Sequence, residues 1–442
     1  MSVSLKEFKV FLTVVLLLVI RVTSAQAGEA KEIPEFSQWN FKLSGEERIR
    51  AEYKQDFDFN QSRKDNGSQF YHRFRLGGLV SLTDEYLDPK LDIFIEGLDA
   101  KTGGYKIKAA SNQVDDFDLH QAYVTLHDIL GSNFDVKAGR QEFKYGKGRL
   151  IAASTWANRI RAFDGGVLHS QNAGLWGDLL YGQDVKYDDD KFNNSRSEEF
   201  LTGFYGGYQK HKLAPLVETY FLMMKDIKGT SDNLRYTVGA RLQTNIAEGT
   251  VLDIEIPYQF GHTGSATVKK KEIKAYAFHV DVTKSWEAAR WKPKLALAYD
   301  EASGDKDPND SVSNTFIPLY QSTHEPYGLI DFFRWQNVRN PEISMTFSPT
   351  EKFRFTPQAD FFWLNSKFDS WYNSSGTALR SKTSGERGYY VGSELSLRVC
   401  YDFNKNLKFE SGYAHFFPGG YVKDSGADDD VDWFYSQVAF KF

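Results

Sequence analysis

The sequence predicts an all-β protein, a transmembrane antiparallel β-barrel of about 18 strands with short periplasmic turns and long extracellular loops. Segments of about ten residues alternate apolar and polar side chains, which is the length and period of a tilted strand that crosses a bilayer. The connections between these segments are alternately long and short, and the last segment ends in Phe442. Together these features favour a barrel with its apolar face in lipid and its polar face around a wet lumen.

The composition excludes several classes of protein. The 442 residues are 15% aromatic, which excludes an intrinsically disordered chain. The single cysteine, Cys400, excludes an internal disulfide and a cysteine-based zinc site. The formal net charge of −5 gives no overall basic footprint for nucleic acid, so we expect no nucleic-acid partner. If the protein handles an anion, the positive charge must be local.

The first 27 residues have the parts of a secretory signal peptide. Lys6 and Lys9 precede an apolar run over residues 10–20, and residues 25–27 match the small-residue cleavage pattern. This run is too short to span a bilayer as a helix, which needs roughly 20 residues. Because Arg21 follows it directly, a retained N-terminal anchor is the alternative. We therefore predict a signal peptide over residues 1–27, a short periplasmic segment over 28–40 and a barrel over 41–442.

The strands are predicted from a two-residue period. Apolar and polar residues alternate from Phe41 to Tyr53, and only Glu47 departs from the pattern. The same period recurs along the chain in segments longer than the five or six residues that are usual for a strand. Segments of this kind start near Phe41, Phe70, Leu91, Phe117, Phe134, Phe163, Leu175, Phe200, Ala214, Leu234, Val251, Glu272, Trp291, Glu342, Phe353, Tyr389, Leu407 and Trp433.

The connections support this strand count independently. Long polar connections follow odd-numbered strands, and most of those after even-numbered strands are tight turns, which is the asymmetry of outer-membrane barrels. The closing strand ends in Phe442, and this resembles the C-terminal signature that the barrel-assembly machinery recognises. The sequence therefore predicts a bacterial outer-membrane location, in contact with lipid and lipopolysaccharide. The long connections are 61–69, 184–199, 303–340, 366–387 and 419–432, and tight turns include 247–249, 348–350 and 404–406.

Strict alternation turns many basic side chains towards the lumen. A water-filled barrel needs a polar wall, so any single arginine is explained by a solvated or salt-bridged wall position. Four arginines on the first two strands, which are neighbours in the chain, favour binding of carboxylates or phosphates. Basic rings in a pore select anions. The predicted pore-lining arginines of the wall are Arg48, Arg50, Arg73, Arg75, Arg235, Arg241 and Arg354, and Lys137, Lys292, Lys294 and Arg398 share their face.

One basic stretch, residues 139–166, is denser than alternation explains. It combines arginine and lysine with several glycines between the fifth and sixth strands. Two interpretations stay open: an exposed basic loop, or a loop folded into the pore that presents Arg140, Arg149 and Arg161 to the permeant. Asp164 is predicted to hold one guanidinium group in place, and the alternative is a role in a turn.

The same stretch resembles a known family. The pattern G-R-Q-x-x-x-Y-G-x-x-R-L over residues 139–150, followed by Trp156 and by F-D-G at residues 163–165, resembles the alginate export family of outer-membrane proteins. A second segment, residues 316–337, is also similar to that family. The resemblance spans about residues 41–442, although only these two segments are motif-specific. It implies a single 18-stranded barrel whose electropositive constriction conducts a polyuronate.

Enzyme and metal chemistry are disfavoured. His120 and His127 lie near several aspartates, but no H-E-x-x-H or G-x-S-x-G pattern occurs, so we predict no enzyme activity, no catalytic residue, no metal site and no cofactor. The acidic runs at residues 188–190 and 428–430 fall in expected extracellular loops, where we interpret them as solvated charge. The alternative for these runs is Ca²⁺ binding that bridges lipopolysaccharide phosphates.

These observations predict a monomeric channel for passive diffusion of an anionic polysaccharide, an alginate-like polyuronate, in the export direction. One alternative is a substrate-specific uptake porin for small carboxylates or oligosaccharides, which would use the same arginines. Another is a structural or adhesive barrel plugged by the long connection 303–340. A passive pore has no direction of its own, so the residues do not separate export from uptake.

Overall fold

The computed structural model describes residues 39–62, 66–82, 90–105, 113–129, 133–188, 191–211, 214–265, 267–322, 324, 327–380 and 388–442. The predicted signal peptide, residues 1–27, lies outside the described residues, as does most of the predicted segment 28–40. Trp39 and Asn40 belong to the first strand, which begins two residues earlier than the sequence indicates.

Eighteen long strands form the wall of a closed barrel in the part of the chain that the structure describes. Each wall strand pairs antiparallel with the next one, and the last strand pairs with the first, so that Arg48 lies opposite Ala439. The predicted fold class and strand number are confirmed. The wall strands are β1 (Trp39–Gln55), β2 (Gly67–Leu82), β3 (Lys90–Tyr105), β4 (Asp115–His127), β5 (Phe134–Gln141), β6 (Phe163–Asn172), β7 (Leu175–Asp188), β8 (Glu199–Tyr208), β9 (Leu216–Asp226), β10 (Asn233–Ala247), β11 (Thr250–Thr263), β12 (Lys271–Ser285), β13 (Lys294–Ala302), β14 (Val338–Thr346), β15 (Phe353–Trp363), β16 (Tyr390–Asp402), β17 (Leu407–Pro418) and β18 (Val431–Lys441).

Along the strands, apolar side chains face outward and polar side chains face the lumen, as the sequence predicts. On β1, Ile49 is 56% exposed on the outer face, whereas its neighbours Arg48 and Arg50 are buried in the lumen. The predicted lumenal position of Lys292 is wrong, because β13 starts only at Lys294. Trp291 and Lys292 have positive φ angles of 67° and 43° in the preceding turn, so Lys292 is an exposed turn residue and not part of the lumenal wall.

Short elements lie in the long connections. They are the strands Lys191–Ser195, Val312–Ser313, Trp371–Tyr372 and Ala378–Arg380 and the helix α1 (Gly420–Lys423). Within the described residues, the structure contains no helix with the length and apolar character needed to cross a membrane.

The apolar core lies inside the barrel, where the long connection between β13 and β14 folds inward. The ring of Phe333 from this connection stacks on Phe362 of the wall at a centroid distance of 3.7 Å. Trp335 and Trp371 are fully buried beside them. Burial of these large aromatic side chains holds the connection in the lumen, since each removes a large apolar area from water.

A second long connection, residues 142–162 between β5 and β6, meets the first one inside the barrel. Ile151 forms a parallel bridge with Tyr320. The Tyr320 N–H donates to the Leu150 carbonyl at 2.7 Å, and the Ala152 N–H donates to the Tyr320 carbonyl at 2.7 Å. We call residues 148–152 together with 320–322 the crosspiece. Of the two interpretations of the basic stretch, the structure therefore shows the loop folded into the pore.

The barrel closes at a seam where the C-terminal residue pairs with β1. The Gly45 N–H donates to the Phe442 carbonyl at 3.0 Å, and the Phe442 N–H donates to the Gly45 carbonyl at 3.1 Å. The Phe442 ring is 46% exposed on the outer face. A backbone left unpaired at this rim would face lipid or its interface, where unsatisfied polar groups cost several kcal/mol.

Deletion of Phe442 is expected to impair barrel assembly, because it removes the last two hydrogen bonds of the seam, each worth about 0.5–1.5 kcal/mol. The measurement is the fraction of chain that shows heat-modifiable migration on gels after refolding. Phe403→Ala is the matched control, since Phe403 is an exposed phenylalanine that takes no part in the seam. An unchanged folded fraction after deletion of Phe442 would contradict this role.

Candidate functional site

Four arginines of β1 and β2 form what we call the arginine sector. The strand register places Arg48 directly opposite Arg73, and Arg50 and Arg75 occupy the next inward positions on either side. Arg48, Arg50 and Arg73 are almost fully buried. The sequence placed these four side chains in one part of the lumen, and the structure brings them together there.

The arginine sector holds the tip of the infolded loop by its backbone. Three successive carbonyl oxygens, of residues 155–157, point at the guanidinium groups. Arg48 and Arg50 donate to the Trp156 carbonyl at 3.0 and 2.7 Å. Arg73 donates to the carbonyls of residues 155 and 157, both at 2.8 Å. Carbonyl groups are neutral and leave the guanidinium charge in place, but carboxylates of the same wall compensate part of it: Arg50 lies 2.8 Å from Glu52, and Arg73 pairs with Glu46.

Trp156 is packed between two side chains at this loop tip. The Arg50 guanidinium carbon lies 4.0 Å from the ring centroid on one side, which is a cation–π contact. The His324 ring stacks on the indole at a centroid distance of 3.8 Å, and Asp331 accepts a hydrogen bond from His324 at 3.0 Å. Since Trp156 and His324 come from the two infolded connections, the stack joins them at the wall.

Arg140 and Asp164 form a bidentate ion pair. They are direct partners in the register of β5 and β6, and the guanidinium donates to the two carboxylate oxygens at 2.7 and 2.9 Å. A further Arg140 hydrogen bond goes to the Asn193 carbonyl at 2.9 Å. Arg140 is therefore a strand residue held against the wall, and not part of the infolded loop.

Arg149 crosses the lumen to the opposite wall. Its guanidinium donates to Glu255 at 3.0 Å and lies 3.9 Å from Asp253, and it also contacts His279. All four side chains are buried. Arg149 thus fixes the crosspiece to β11 and β12.

Arg161 clamps the two infolded connections to each other. It donates to the Ala152 carbonyl at 3.0 Å and to the Tyr320 carbonyl at 2.9 Å, and lies 3.8 Å from Asp184. Neither Arg149 nor Arg161 lies beside the arginine sector, so the structure does not bring all the predicted arginines into one site.

The remaining predicted arginines divide between two walls. Arg235 donates to Gln259 at 2.8 Å, and Arg241 forms a buried ion-pair network with carboxylates of β9 and β11. Arg354 lies on the other side of the lumen and pairs with Asp402 at 2.7 Å. Of these three, Arg354 is the one that shares a cavity with the arginine sector.

This shared space, which we call the basic cavity, has a volume of about 500 Å³. It lies between the loop tip and the end of the barrel that carries the short turns. Seven basic side chains face only three carboxylates, so the lining of the cavity has an excess of positive charge. The basic residues are Arg48, Arg73, Arg75, Arg354, Arg398, Lys408 and Lys441, and the carboxylates are Glu46, Asp402 and Glu410.

Sequence reasoning missed two members of this cavity, Lys408 and Lys441. Both lie near strand ends at the short-turn rim, and Lys441 is 3.2 Å from Glu46. In the closed barrel, Lys408 lies one strand away from Arg398, and Lys441 lies one strand away from Arg48. This proximity to other basic residues was the available signal. The pairing of β18 with β1 is needed to use that signal, and alternation within single strands does not provide it.

Asp331 carries an unfavourable charge at the loop contact. Burial raises the pKa of Asp331 above its ordinary value of 3.8, and the nearby His324 opposes this only in part. Below pH 3.8 the carboxyl is protonated in both the folded and the unfolded chain. As the pH rises through the raised pKa, the unfolded chain ionises more readily, and the folded state loses relative stability.

The variant Asp331→Asn is therefore expected to be more thermally stable than wild type at pH 7, with the difference vanishing near pH 3.5. Asn also tolerates the positive φ of 67° at this position. Thermal unfolding in detergent, followed by circular dichroism at both pH values, measures the effect. A variant that is less stable at pH 7 would show that the His324 contact outweighs the cost of burying the charge.

Arg50→Ala and Trp156→Ala are each expected to increase the single-channel conductance in planar bilayers, because each removes part of the contact that holds the loop tip against the wall. A hydrogen bond from a charged group contributes about 1.5–3 kcal/mol, and the cation–π contact adds up to about 2 kcal/mol. Arg339→Ala is the control, since Arg339 is an exposed residue on the outer face of β14. Unchanged conductance in both test variants would mean that the loop tip does not narrow the pore.

The chain shares its fold with several solved structures. The structure is similar to OpdQ of Pseudomonas aeruginosa, with a TM-score of 0.59, 14% identity and coverage of 91% of this chain and 99% of that chain. It is also similar to P. aeruginosa OpdO, with a TM-score of 0.61, 14% identity and coverage of 91% and 97%. A third similar structure is P. aeruginosa OccK2 (OpdF) in complex with glucuronate, with a TM-score of 0.59, 13% identity and coverage of 91% and 98%.

At these identities the structural likeness establishes the barrel fold alone. No curated protein matches the chain in sequence. The family model for alginate export matches residues 40–435, which is nearly the whole described barrel. The family and the fold are those of bacterial outer-membrane channels. The predicted resemblance and location are confirmed, and the chain belongs to the alginate export family.

Proposed function

We propose that this outer-membrane channel conducts an anionic polysaccharide of the polyuronate class. The observation that carries the proposal is the basic cavity, in which seven cations surround about 500 Å³ next to the loop tip. A uronate presents one carboxylate per sugar, and guanidinium groups bind carboxylates through paired hydrogen bonds. Membership of the alginate export family supports the same substrate class.

The carboxylates already present in the cavity suit transport rather than tight binding. Arg73 hydrogen-bonds Glu46 at 2.8 Å, and Arg354 pairs with Asp402 at 2.7 Å. An incoming uronate therefore exchanges with a carboxylate of the wall, and the net gain for each contact is small. A conducting site must release what it binds, so several weak contacts along a polymer favour movement.

The position of the cavity suits entry of a polyanion from the periplasm. It lies at the short-turn end of the barrel, which is the periplasmic end in outer-membrane barrels. Lys408 and Lys441 lie near that rim, and the arginine sector lies deeper, at the loop tip. A polyanion that arrives from the periplasm meets these lysines first. We therefore propose that the polymer enters at this end and passes the arginine sector on its way out.

Uptake of small uronates is the second candidate. It is favoured by one comparison, since OccK2 was solved with glucuronate and has the same barrel fold. The two infolded connections also leave less room for a polymer than an empty barrel would. Both candidates use the same carboxylate chemistry, so the length of the uronate ligand distinguishes them. A channel for a polymer should be blocked by an oligouronate at a lower concentration of carboxylate groups than by the monomer glucuronate.

Several expectations accompany this proposal. We expect a monomer with contacts to lipopolysaccharide and to the assembly machinery, and no catalytic activity. Ca²⁺ binding at the acidic runs 188–190 and 428–430 stays the alternative to solvated charge, and residues 189 and 190 lie outside the described residues. Asp429 in the second run accepts a hydrogen bond from the Gln61 N–H at 2.8 Å, so at least one of its carboxylates also has a structural role.

Cys400 provides a direct test, since it is the single cysteine of the chain and lines the basic cavity. We expect an anionic methanethiosulfonate reagent to modify it faster than a cationic reagent of similar size, by about tenfold or more, because the local positive potential concentrates anions. The measurement is the modification rate of the folded barrel in detergent. Arg354→Gln combined with Arg398→Gln should reduce the ratio, and Cys400→Ser is the blank.

The same assay distinguishes the candidate substrates. An oligouronate that occupies the cavity should protect Cys400 at a lower carboxylate concentration than glucuronate does. Equal protection by the two would favour the uptake candidate. Faster modification by the cationic reagent would overturn anion selectivity altogether, and absence of any conductance in planar bilayers would favour a plugged barrel.

A further inference from the structure

Three potential metal ligands meet at the root of the infolded loop. Glu96 lies on β3, His120 on β4, and Glu142 is the first residue after β5. One ligand atom from each lies within 4.8 Å of the other two. His120 Nε2 is 2.9 Å from Glu142 Oε1 and 4.0 Å from Glu96 Oε1. The cluster joins two wall strands to the loop.

The cluster is already a site for positive charge. A single nitrogen of Arg75, Nη2, lies 2.8 Å from Glu96 Oε1 and 2.8 Å from Glu142 Oε1. Gln121 adds a neutral donor to Glu96 at 3.2 Å. Two carboxylates therefore share one guanidinium group in a largely buried place, where uncompensated charge is costly. This imbalance favours a cation with more charge than Arg75 supplies.

The donor set and its spacing suit a zinc-class ion. Imidazole nitrogen and carboxylate oxygen are both zinc ligands, with bonds of about 2.0–2.2 Å, so two ligands of a tetrahedral ion are about 3.4 Å apart. The distances of 2.9 and 4.0 Å from His120 Nε2 lie on either side of that spacing, so small side-chain movements bring both carboxylates to it. We propose that Glu96, His120 and Glu142 bind a divalent transition-metal ion such as Zn²⁺, with Arg75 as the competing cation.

The Arg75 side chain can move away from the cluster when the metal ion binds. Its side chain lines the basic cavity, so the guanidinium group can turn into that open volume. The bound ion then ties Glu142, and with it the start of the infolded loop, to β3 and β4. His120 Nδ1 is buried without a hydrogen-bond partner among the described residues. Because zinc-bound histidines are normally oriented through that second nitrogen, we expect micromolar rather than nanomolar affinity.

The test is titration of the refolded, tag-free barrel in detergent with Zn²⁺, followed by calorimetry, and with Mg²⁺ as the hard-ion comparison. Wild type should bind one Zn²⁺ at this site and no Mg²⁺. His120→Ala should weaken Zn²⁺ binding by about tenfold or more, and Glu142→Gln should also weaken it. Arg75→Gln should strengthen it, since the competing cation is removed. A purely structural role for the cluster does not predict this increase.

His127→Ala is the matched control. His127 also has two carboxylate neighbours, but Asp135 contacts Nδ1 at 3.0 Å and Asp92 contacts Nε2 at 3.1 Å, on opposite sides of the ring. These carboxylates cannot share one ion with the ring, so the control should bind Zn²⁺ like wild type. Heat-modifiable migration verifies folding of each variant. Unchanged affinity in His120→Ala, or no gain in Arg75→Gln, would overturn the proposal.

Discussion

The contact between three guanidinium groups and three backbone carbonyls determines the shape of the lumen. Arg48, Arg50 and Arg73 hold residues 155–157, and this contact keeps the loop tip against β1 and β2. If the tip were free, the basic cavity would open directly to the rest of the lumen. The carbonyl acceptors are neutral, and Glu52 and Glu46 compensate part of the charge of Arg50 and Arg73. Arg48 and Arg73 therefore anchor the loop tip and also line the basic cavity.

The basic groups of the lumen have two distinct roles. Arg149 and Arg241 are buried in ion-pair networks on the wall opposite the arginine sector, where their charge is compensated. Arg354 and Lys408 border open volume, where a permeant can replace a wall carboxylate. The two groups differ in whether the side chain borders open volume. An inventory of inward-facing arginines cannot make that distinction.

The fold was predictable because lipid on one side and water on the other impose a two-residue period. The segment from Phe41 to Tyr53 shows that period, and the lumenal orientation of Arg48 and Arg73 on adjacent strands followed from it. The pairing of Arg149 with Glu255 could not be predicted, since 106 positions separate them and no local pattern links them. Lys292 was misplaced because a turn with positive φ interrupts the alternation. Sequence periodicity thus predicts the strands of the wall, whereas contacts between distant connections determine which charged side chains form pairs.

The crosspiece has a consequence for the order in which the barrel is built. Arg161 and the Tyr320 carbonyl that it binds are 159 positions apart, and the strands between them must be threaded and paired before the two can meet. Contacts between such distant segments are slow to form, because the intervening chain must first lose its freedom. Once the wall is inserted in the membrane, the two infolded connections are confined to the lumen, so they find each other much sooner. The newly closed barrel is therefore expected to be an open, hydrated tube that narrows only in a last step, so a transiently wide pore is an inherent stage of its biogenesis.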